Sequence, residues 1–207
     1  PRYLMLLSEC NGHIKLTLIP YTEIDSYIRK STISLEDKNS DNEGGINYKG
    51  IIRSLVKDVS SGSKAQGAST ITQQFVRNAV LTRDKSYVRK IKEIILSLEI
   101  NKRFSKDEVI RMYLNEVPYG RNAYGIEAAS QTYFNKHAKD LDLAESAYLA
   151  AIPQAPSFYN PTGPNRASLD RRKNLVLDLM LQQAYINKSE HDNAQSEVVA
   201  FQKAQNF

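Results

Sequence analysis

The spacing of apolar residues along the chain indicates a mainly α protein with little strand. Apolar and polar residues alternate only briefly, from His13 to Ile19, and stop at Pro20. This pattern favours a short strand or an extended arm. A helical spacing of apolar residues follows over 21–35, and a clearer one over 51–59. Both segments are therefore predicted to be amphipathic helices.

Three later segments carry the capping-box pattern of a helix start, an oxygen-bearing side chain followed three residues later by Gln or Glu. They begin at Thr70, Ser105 and Asp142. Two terminal helices are predicted over 167–185 and 189–205. No internal repeat is present.

One predicted helix, over about 86–100, has an apolar stripe formed by Val88, Ile91, Ile95 and Leu98. Such a stripe forms one face of an amphipathic helix. The polar side chains of Arg89 and Glu93, which are four residues apart and share a face, are then expected to point outward or into a cleft.

Polar and proline-rich stretches separate these helices. Residues 36–45 and 60–67 are predicted loops, and four prolines make 153–165 a rigid irregular segment. A length of 207 residues is that of one domain with room for two lobes.

Composition narrows the class of protein. With 41% apolar and 25% charged residues, the chain is neither collagen-like, nor a disordered tail, nor a disulfide scaffold. The single cysteine, Cys10, and three scattered histidines argue against a zinc site. No apolar run approaches the roughly 18–20 residues that span a bilayer. Because the chain starts at Pro1, we expect it to be a domain excised from a longer protein, with any membrane anchor outside it.

The net charge of +5 is compatible with an anionic partner. A phosphorylated substrate, an anionic lipid surface and nucleic acid all remain open at this point.

Three segments carry candidate chemistry. Glu36-Asp37 joins an apolar helix to a polar loop, which suits a general base with a raised pKa but equally a solvated helix end. The segment Gly67-Ala-Ser-Thr-Ile-Thr-Gln-Gln74 leads into a helix N-terminus, where free backbone N–H groups favour an anion; simple capping is the alternative. Arg89-Lys90-Ile-Lys-Glu93 reads as a pyrophosphate clamp with a second carboxylate, or as a surface ion pair.

Read together and in order, these segments resemble the peptidoglycan glycosyltransferases, glycosyltransferase family 51, over about residues 19–179. Five motifs of that family have counterparts here: Leu35-Glu36-Asp37, Gly67–Gln74, Arg89–Glu93, Lys106–Asn115 and Arg171–Leu177. The first motif departs from the family after Asp37, because Ser40 and Glu43 stand where a Phe and a His are usual. This departure bears on substrate contacts of that loop, and not on Glu36.

The resemblance implies a lysozyme-like helical fold and a defined reaction. A single glycosyltransferase domain would span 1–207, with a membrane-facing jaw at about 46–88 and a head lobe formed by the rest. It would polymerise lipid II into glycan strands, inverting C1 of the donor and releasing undecaprenyl pyrophosphate. Glu36 matches the base and Glu93 the second essential Glu. The matching substrate contacts are Asp37, Ser69, Thr70, Gln73, Gln74, Arg77, Asn78, Lys85, Arg89, Lys90 and Asn115.

The resemblance also implies partners and a location. The partners are lipid II, the growing lipid-linked glycan, the membrane surface and a transpeptidase domain in a longer parent protein; nucleic acid is not among them. The location is the extracytoplasmic face of the bacterial cell membrane. No cofactor is required, although a divalent cation, Mg²⁺ or Mn²⁺, would suit the pyrophosphate. Moenomycin is a known inhibitor of the family.

Three other functions are weighed against this one. A muramidase also uses two carboxylates, but its leaving group is a sugar and needs no cluster of cations. A degenerate, non-catalytic module that binds lipid II or glycan fits the altered loop, but not the retention of Glu36 and Glu93. A nucleic-acid binder is the weakest alternative, because no recognition motif is present.

Overall fold

The computed structural model describes residues 15–36, 70–79 and 87–203, and for Lys15, Glu36 and Tyr87 it describes the backbone alone. Within these ranges the helices are α1 (Ser26–Glu36), α2 (Ile71–Ala79), α3 (Tyr87–Arg103), α4 (Lys106–Glu116), α5 (Ile126–Phe134), α6 (Leu143–Ala151), α7 (Arg166–Gln182) and α8 (Lys188–Ser196). The strands are β1 (Lys15–Leu16), β2 (Pro118–Gly120) and β3 (Ala123–Tyr124). The mainly α prediction is therefore confirmed. None of the described helices is long and apolar enough to cross a membrane.

The chain divides into two compact units. One consists of Pro1–Leu35 and Leu114–Phe207, and the other of Glu36–Tyr113. The predicted lobe boundaries at 46 and 88, and the lysozyme-like arrangement of the lobes, stay predictions. Glu36, predicted to start a loop, is instead the last residue of α1. The rest of that loop, over 37–45, the predicted loop over 60–67 and the predicted helix over 51–59 lie outside the described residues.

The first unit contains a three-stranded sheet with strand order β1-β3-β2. β1 pairs parallel with β3, so that Lys15 lies opposite Ala123, and β2 pairs antiparallel with β3. β1 confirms the short strand predicted before Pro20. The core of this unit lies among its helices, where α6 and α7 pack against each other around Leu149, Leu169 and Leu177, all fully buried.

The capping boxes predicted at Ser105 and Asp142 are both present. Ser105 N–H donates to Glu108 Oε2 at 2.8 Å, and Glu108 N–H donates back to Ser105 Oγ at 3.3 Å. Asp142 and Glu145 make the same reciprocal pair. These predictions succeed because a capping box is made within four consecutive residues.

The terminal helices differ from their predicted limits. α8 ends at Ser196, so the helix predicted to continue to residue 205 is wrong at its C-terminal end. The chain beyond it leaves the helix and brings the ring of Phe201 against the rings of Phe134 and Tyr148, each with a centroid distance of 5.1 Å. A tertiary aromatic contact here overrides helical propensity, which is weak by comparison.

A buried histidine joins α8 to α7. His191 Nε2 lies 2.9 Å from Asp178 Oδ1, and His191 Nδ1 lies 2.8 Å from Asp192 Oδ1. The hydrogen bond to Asp192, followed by that to Asp178, raises the pKa of His191 above its ordinary value. The charged imidazolium is thus the form that the folded protein favours.

Candidate active site

Most of the described candidate residues lie on one helical hairpin, formed by α2 (71–79) and α3 (87–103). Seven residues, 80–86, join the two helices. The far ends of the helices meet, because Thr72 Oγ1 donates a hydrogen bond to Asn101 Oδ1 at 2.7 Å. Contact at the far ends together with a short connection makes the hairpin antiparallel.

The hairpin concentrates the positive charge of the chain. Its two helices carry six cationic and two acidic side chains, a net charge of +4, against +5 for all 207 residues. The 26 residues of the two helices therefore carry an excess of positive charge that would attract an anionic ligand.

The N-terminus of α2 is capped by its own side chains. Gln73 N–H donates to Thr70 Oγ1, and Thr70 N–H donates to Gln73 Oε1, both at 3.3 Å. The capping box predicted here is present. Gln73 is buried, and its side-chain amide caps the helix. Contact of this residue with a substrate stays a prediction.

The next turn of α2 carries the other predicted contacts. Gln74 and Arg77 are half-buried, and Asn78 is exposed. Gln74 Oε1 accepts a hydrogen bond of 3.4 Å from the hydroxyl of Tyr113, which is itself buried at the end of this unit. This contact helps to orient the Gln74 amide within its unit.

The carboxylate of Glu93 is buried in α3, with 1% of its side chain exposed. Lys90 Nζ donates to Glu93 Oε1 at 2.7 Å, and 28% of the lysine side chain remains exposed. Glu93 Oε2 is buried and has no hydrogen-bond partner among the described residues. A buried carboxylate oxygen without a partner is costly and is unusual outside functional sites.

The apolar stripe of α3 is largely exposed. Val88, Ile91 and Ile95 are 61%, 56% and 61% exposed, whereas Glu93 and Ser97 are buried. Amphipathic spacing shows that a helix has two faces, but here the polar face is the one packed inward. α3 makes its helix–helix contact with α2, and Ser97 Oγ is satisfied locally by the Glu93 carbonyl at 2.6 Å.

Arg89 lies one turn before Glu93 and is half-buried. With Lys90 it places two cations within one turn of the buried carboxylate. The expected shared face of Arg89 and Glu93 is thus present, but the alternative of an ion pair on the surface does not fit a carboxylate that is 1% exposed.

Asn115 belongs to the other unit and has a different environment. Its Oδ1 accepts from the Ile19 N–H at 2.9 Å, and its Nδ2 donates to the Ile19 carbonyl at 3.0 Å. Nearby, Gly125 has φ +79°, and a Cβ atom there would lie 2.5 Å from the Asn115 carbonyl oxygen. Through its two hydrogen bonds, the Asn115 side chain links the segment around Ile19 to the end of α4. Contact of Asn115 with a substrate stays a prediction.

Four predicted residues lie wholly or partly outside the described part of the chain. Glu36 is the last residue of α1, and its side chain is not described. Asp37, Ser69 and Lys85 lie outside the described residues altogether. Their roles stay predictions.

Sequence reasoning missed three residues that build the hairpin: Thr72, Asn101 and Tyr113. Thr72 and Tyr113 lie within the motifs Gly67–Gln74 and Lys106–Asn115, and Asn101 lies near the end of α3, where a polar residue is typical of the surface. A periodicity argument could not find them, because each acts through a residue that is distant in sequence.

Comparison with known proteins gives the class. The family model described as transglycosylase matches residues 5–181, and the chain belongs to this family. At the family level it is therefore a glycosyltransferase domain of cell-wall peptidoglycan synthesis.

Its relatives are penicillin-binding proteins. The chain is 42% identical to penicillin-binding protein 1F of Bacillus subtilis over 177 residues, which are 86% of this chain and 25% of the relative. It is 39% identical to penicillin-binding protein 1A of Pseudomonas aeruginosa over 195 residues, 94% of this chain and 23% of the relative. It thus spans about a quarter of the length of these curated relatives. The crystal structure of penicillin-binding protein 1A from Haemophilus influenzae matches with 31% identity and a TM-score of 0.44, covering 64% of this chain and 16% of that one.

Proposed function

We propose that this chain polymerises lipid II into glycan strands. The 4-hydroxyl of the acceptor sugar attacks C1 of the lipid-linked donor, which inverts that carbon, and undecaprenyl pyrophosphate leaves. The observation that supports this proposal best is the hairpin, where Arg89 and Lys90 lie within one turn of the buried Glu93 carboxylate.

The chemistry requires fixed positive charge at the leaving group. Negative charge develops on the pyrophosphate as its bond to C1 breaks, and preorganised cations stabilise that charge without a cost of reorganisation. In the proposal Arg77, Arg89 and Lys90 bind the pyrophosphate from the two arms of the hairpin, together with Lys85. A sugar leaving group, as in a muramidase, would not need a segment with a net charge of +4.

Two carboxylates have separate roles in the proposal. Glu36 takes the proton of the attacking hydroxyl. Glu93 holds the Lys90 ammonium in place through its Oε1, and its Oε2 accepts a further hydrogen bond from substrate or from a neighbouring cation. Asp37 supports Glu36, while Ser69, Thr70, Gln74 and Asn78 supply polar contacts to the sugars and phosphates.

The proposed steps require no cofactor, and a divalent cation at the pyrophosphate, Mg²⁺ or Mn²⁺, stays a prediction. Among the described residues no cluster of three or more His, Cys, Asp and Glu side chains is close enough to hold a metal ion. Glu93 alone does not make a Mg²⁺ or Mn²⁺ site, because such ions take several oxygen ligands.

The membrane surface is the proposed partner for the exposed apolar side of α3. Val88, Ile91 and Ile95 lie on one exposed face, and Lys92 and Lys102 are exposed beside them. Apolar side chains flanked by lysines suit the boundary between acyl chains and anionic headgroups. This surface begins where the predicted jaw (46–88) ends.

The location and the remainder of the parent protein follow the same proposal. A lipid-linked substrate is met at the extracytoplasmic face of the cell membrane. Because the relatives are about four times longer than their match to this chain, a transpeptidase domain in the parent protein is part of the proposal.

The test is incubation of the purified chain with lipid II labelled on its sugar. Long glycan polymer supports the proposal. Short cleaved saccharides would indicate a muramidase, and saturable binding without turnover would indicate a non-catalytic lipid II module. Either of those two results would overturn it.

A further inference from the structure

The hairpin raises the question of what sets the alignment of its two helices. α2 has nine residues, which is too short for a helix to be stable or fixed in direction by itself. Its orientation must come from tertiary contacts, and its main helix partner is α3. One such contact is buried and directional: Thr72 is 6% exposed, and its Oγ1 donates to Asn101 Oδ1 at 2.7 Å.

We propose that Thr72 and Asn101 are positioning residues, which fix the register of α2 against α3 and so hold the cations of both helices at one pyrophosphate site. This inference rests on the proposed function, because the anion it concerns is the leaving pyrophosphate. Neither residue touches the substrate in this scheme; both act through the side chains that the helices carry.

The distances along the helices support this role. Asn101 lies eight residues beyond Glu93, about 12 Å along α3, and Thr72 lies five residues before Arg77, about 7.5 Å along α2. In an antiparallel hairpin these two intervals run in the same direction from the Thr72–Asn101 contact. Arg77 and Glu93 are therefore offset by about 4.5 Å along the hairpin, less than one turn.

Apolar packing alone would not hold this register. The hydrophobic effect is non-directional, and Ile71, Val76 and Ile94 supply contacts that tolerate small slips. A slip of one residue moves a helix by about 1.5 Å and rotates its side chains by about 100°. A hydrogen bond of 2.7 Å does not survive such a slip, because its strength falls steeply with distance and angle.

The loss of register is expected to reduce turnover rather than to prevent folding. A misplacement of about 1 Å at a distance from the chemistry can cost about 100-fold in rate. The side chains that contact the substrate would all still be present, so that the effect would appear in kcat more than in KM.

The experiment compares five variants of the chain. Thr72→Val and Asn101→Leu each remove one partner at nearly constant volume, and their combination closes a double-mutant cycle. Thr72→Ser keeps the donor and is the conservative variant. Glu99→Gln is the matched control, because Glu99 pairs with Arg103 on the same helix at an exposed position.

Four quantities are measured for each variant: the melting temperature, kcat and KM for lipid II polymerisation, and the affinity for inorganic pyrophosphate by calorimetry. We expect Thr72→Val and Asn101→Leu to lower kcat at least about tenfold at temperatures where both are folded, with KM changed less than about threefold. The double variant should be no worse than either single one, because both break the same contact. Thr72→Ser and Glu99→Gln should stay within about threefold of the parent. If Thr72→Val does not fold, Asn101→Leu makes the same break at a half-buried position.

The outcomes separate this inference from the function on which it rests. If the parent chain polymerises lipid II and both single variants keep its kcat when folded, the positioning role is overturned and the function stands. If the parent makes no polymer, the proposed function fails. In that case, pyrophosphate binding that weakens at least about threefold in Thr72→Val but not in Glu99→Gln still supports the positioning role, and unchanged or undetectable binding overturns it.

Discussion

Replacing Lys90 with Met separates a structural ion pair from a group that acts on the leaving pyrophosphate. Lys90 Nζ lies 2.7 Å from Glu93 Oε1, and Glu93 is 1% exposed. Removal of the lysine leaves a buried carboxylate without its counter-ion. The cost of breaking such a buried pair is about 3–5 kcal/mol. Because Lys90 keeps about a quarter of its surface in water, we expect the lower end, about 3 kcal/mol of unfolding free energy.

The effect on the reaction is a separate quantity. A lost contact to a developing oxyanion costs about 3 kcal/mol in the transition state, or about 100-fold in rate. The loss of about 3 kcal/mol in unfolding free energy should lower the melting temperature by roughly 6–12 °C for a chain of this size. At a temperature where the variant is fully folded, kcat should still be about 100-fold below the parent. Moenomycin should also bind more weakly.

Two further variants locate the origin of each loss. Lys90→Met combined with Glu93→Gln removes the buried charge, so that most of the lost stability should return. Lys90→Arg keeps a cation beside Glu93 and should restore part of the rate. Folded Lys90→Met with kcat within about threefold of the parent would refute the pyrophosphate role, and would leave Lys90 as the counter-ion of Glu93 alone.

Three more predictions follow from other parts of the chain. Glu36→Gln should abolish glycan polymerisation at an unchanged melting temperature, since an amide cannot take the acceptor proton; undiminished polymer would contradict its assignment as the base. Ile91→Ser with Ile95→Ser should weaken flotation with phosphatidylglycerol vesicles severalfold at unchanged stability, because both side chains are more than half exposed, and unaltered flotation would argue against this surface. His191 has a raised pKa in the folded chain, so its contribution to stability is complete below the unfolded value of about 6.5 and is lost as the pH rises through the folded value. Denaturant unfolding from pH 5 to 9 should therefore show a fall in stability that is absent in His191→Gln, and parallel pH profiles would contradict this.

Local sequence patterns predicted local structure well. The capping boxes at Thr70, Ser105 and Asp142 are all present, because their donors and acceptors lie within four residues of each other. The short strand before Pro20 is also present, but its partner strand, β3, lies more than 100 residues away and could not be inferred.

The sequence by itself determined which residues carry charge and hydroxyl groups, where helices start, and which family the chain belongs to, because these depend on residue identity and short spacing. Only the tertiary structure decided which side of α3 faces inward. It buried Glu93 and exposed Ile91 and Ile95, which the spacing of apolar residues did not decide. Burial depends on what packs against a helix, and the partner here is α2, whose alignment is set by a contact between Thr72 and Asn101, 29 residues apart. The hydrophobic pattern of a helix shows which of its faces is apolar, but it does not show which face a neighbouring helix will cover.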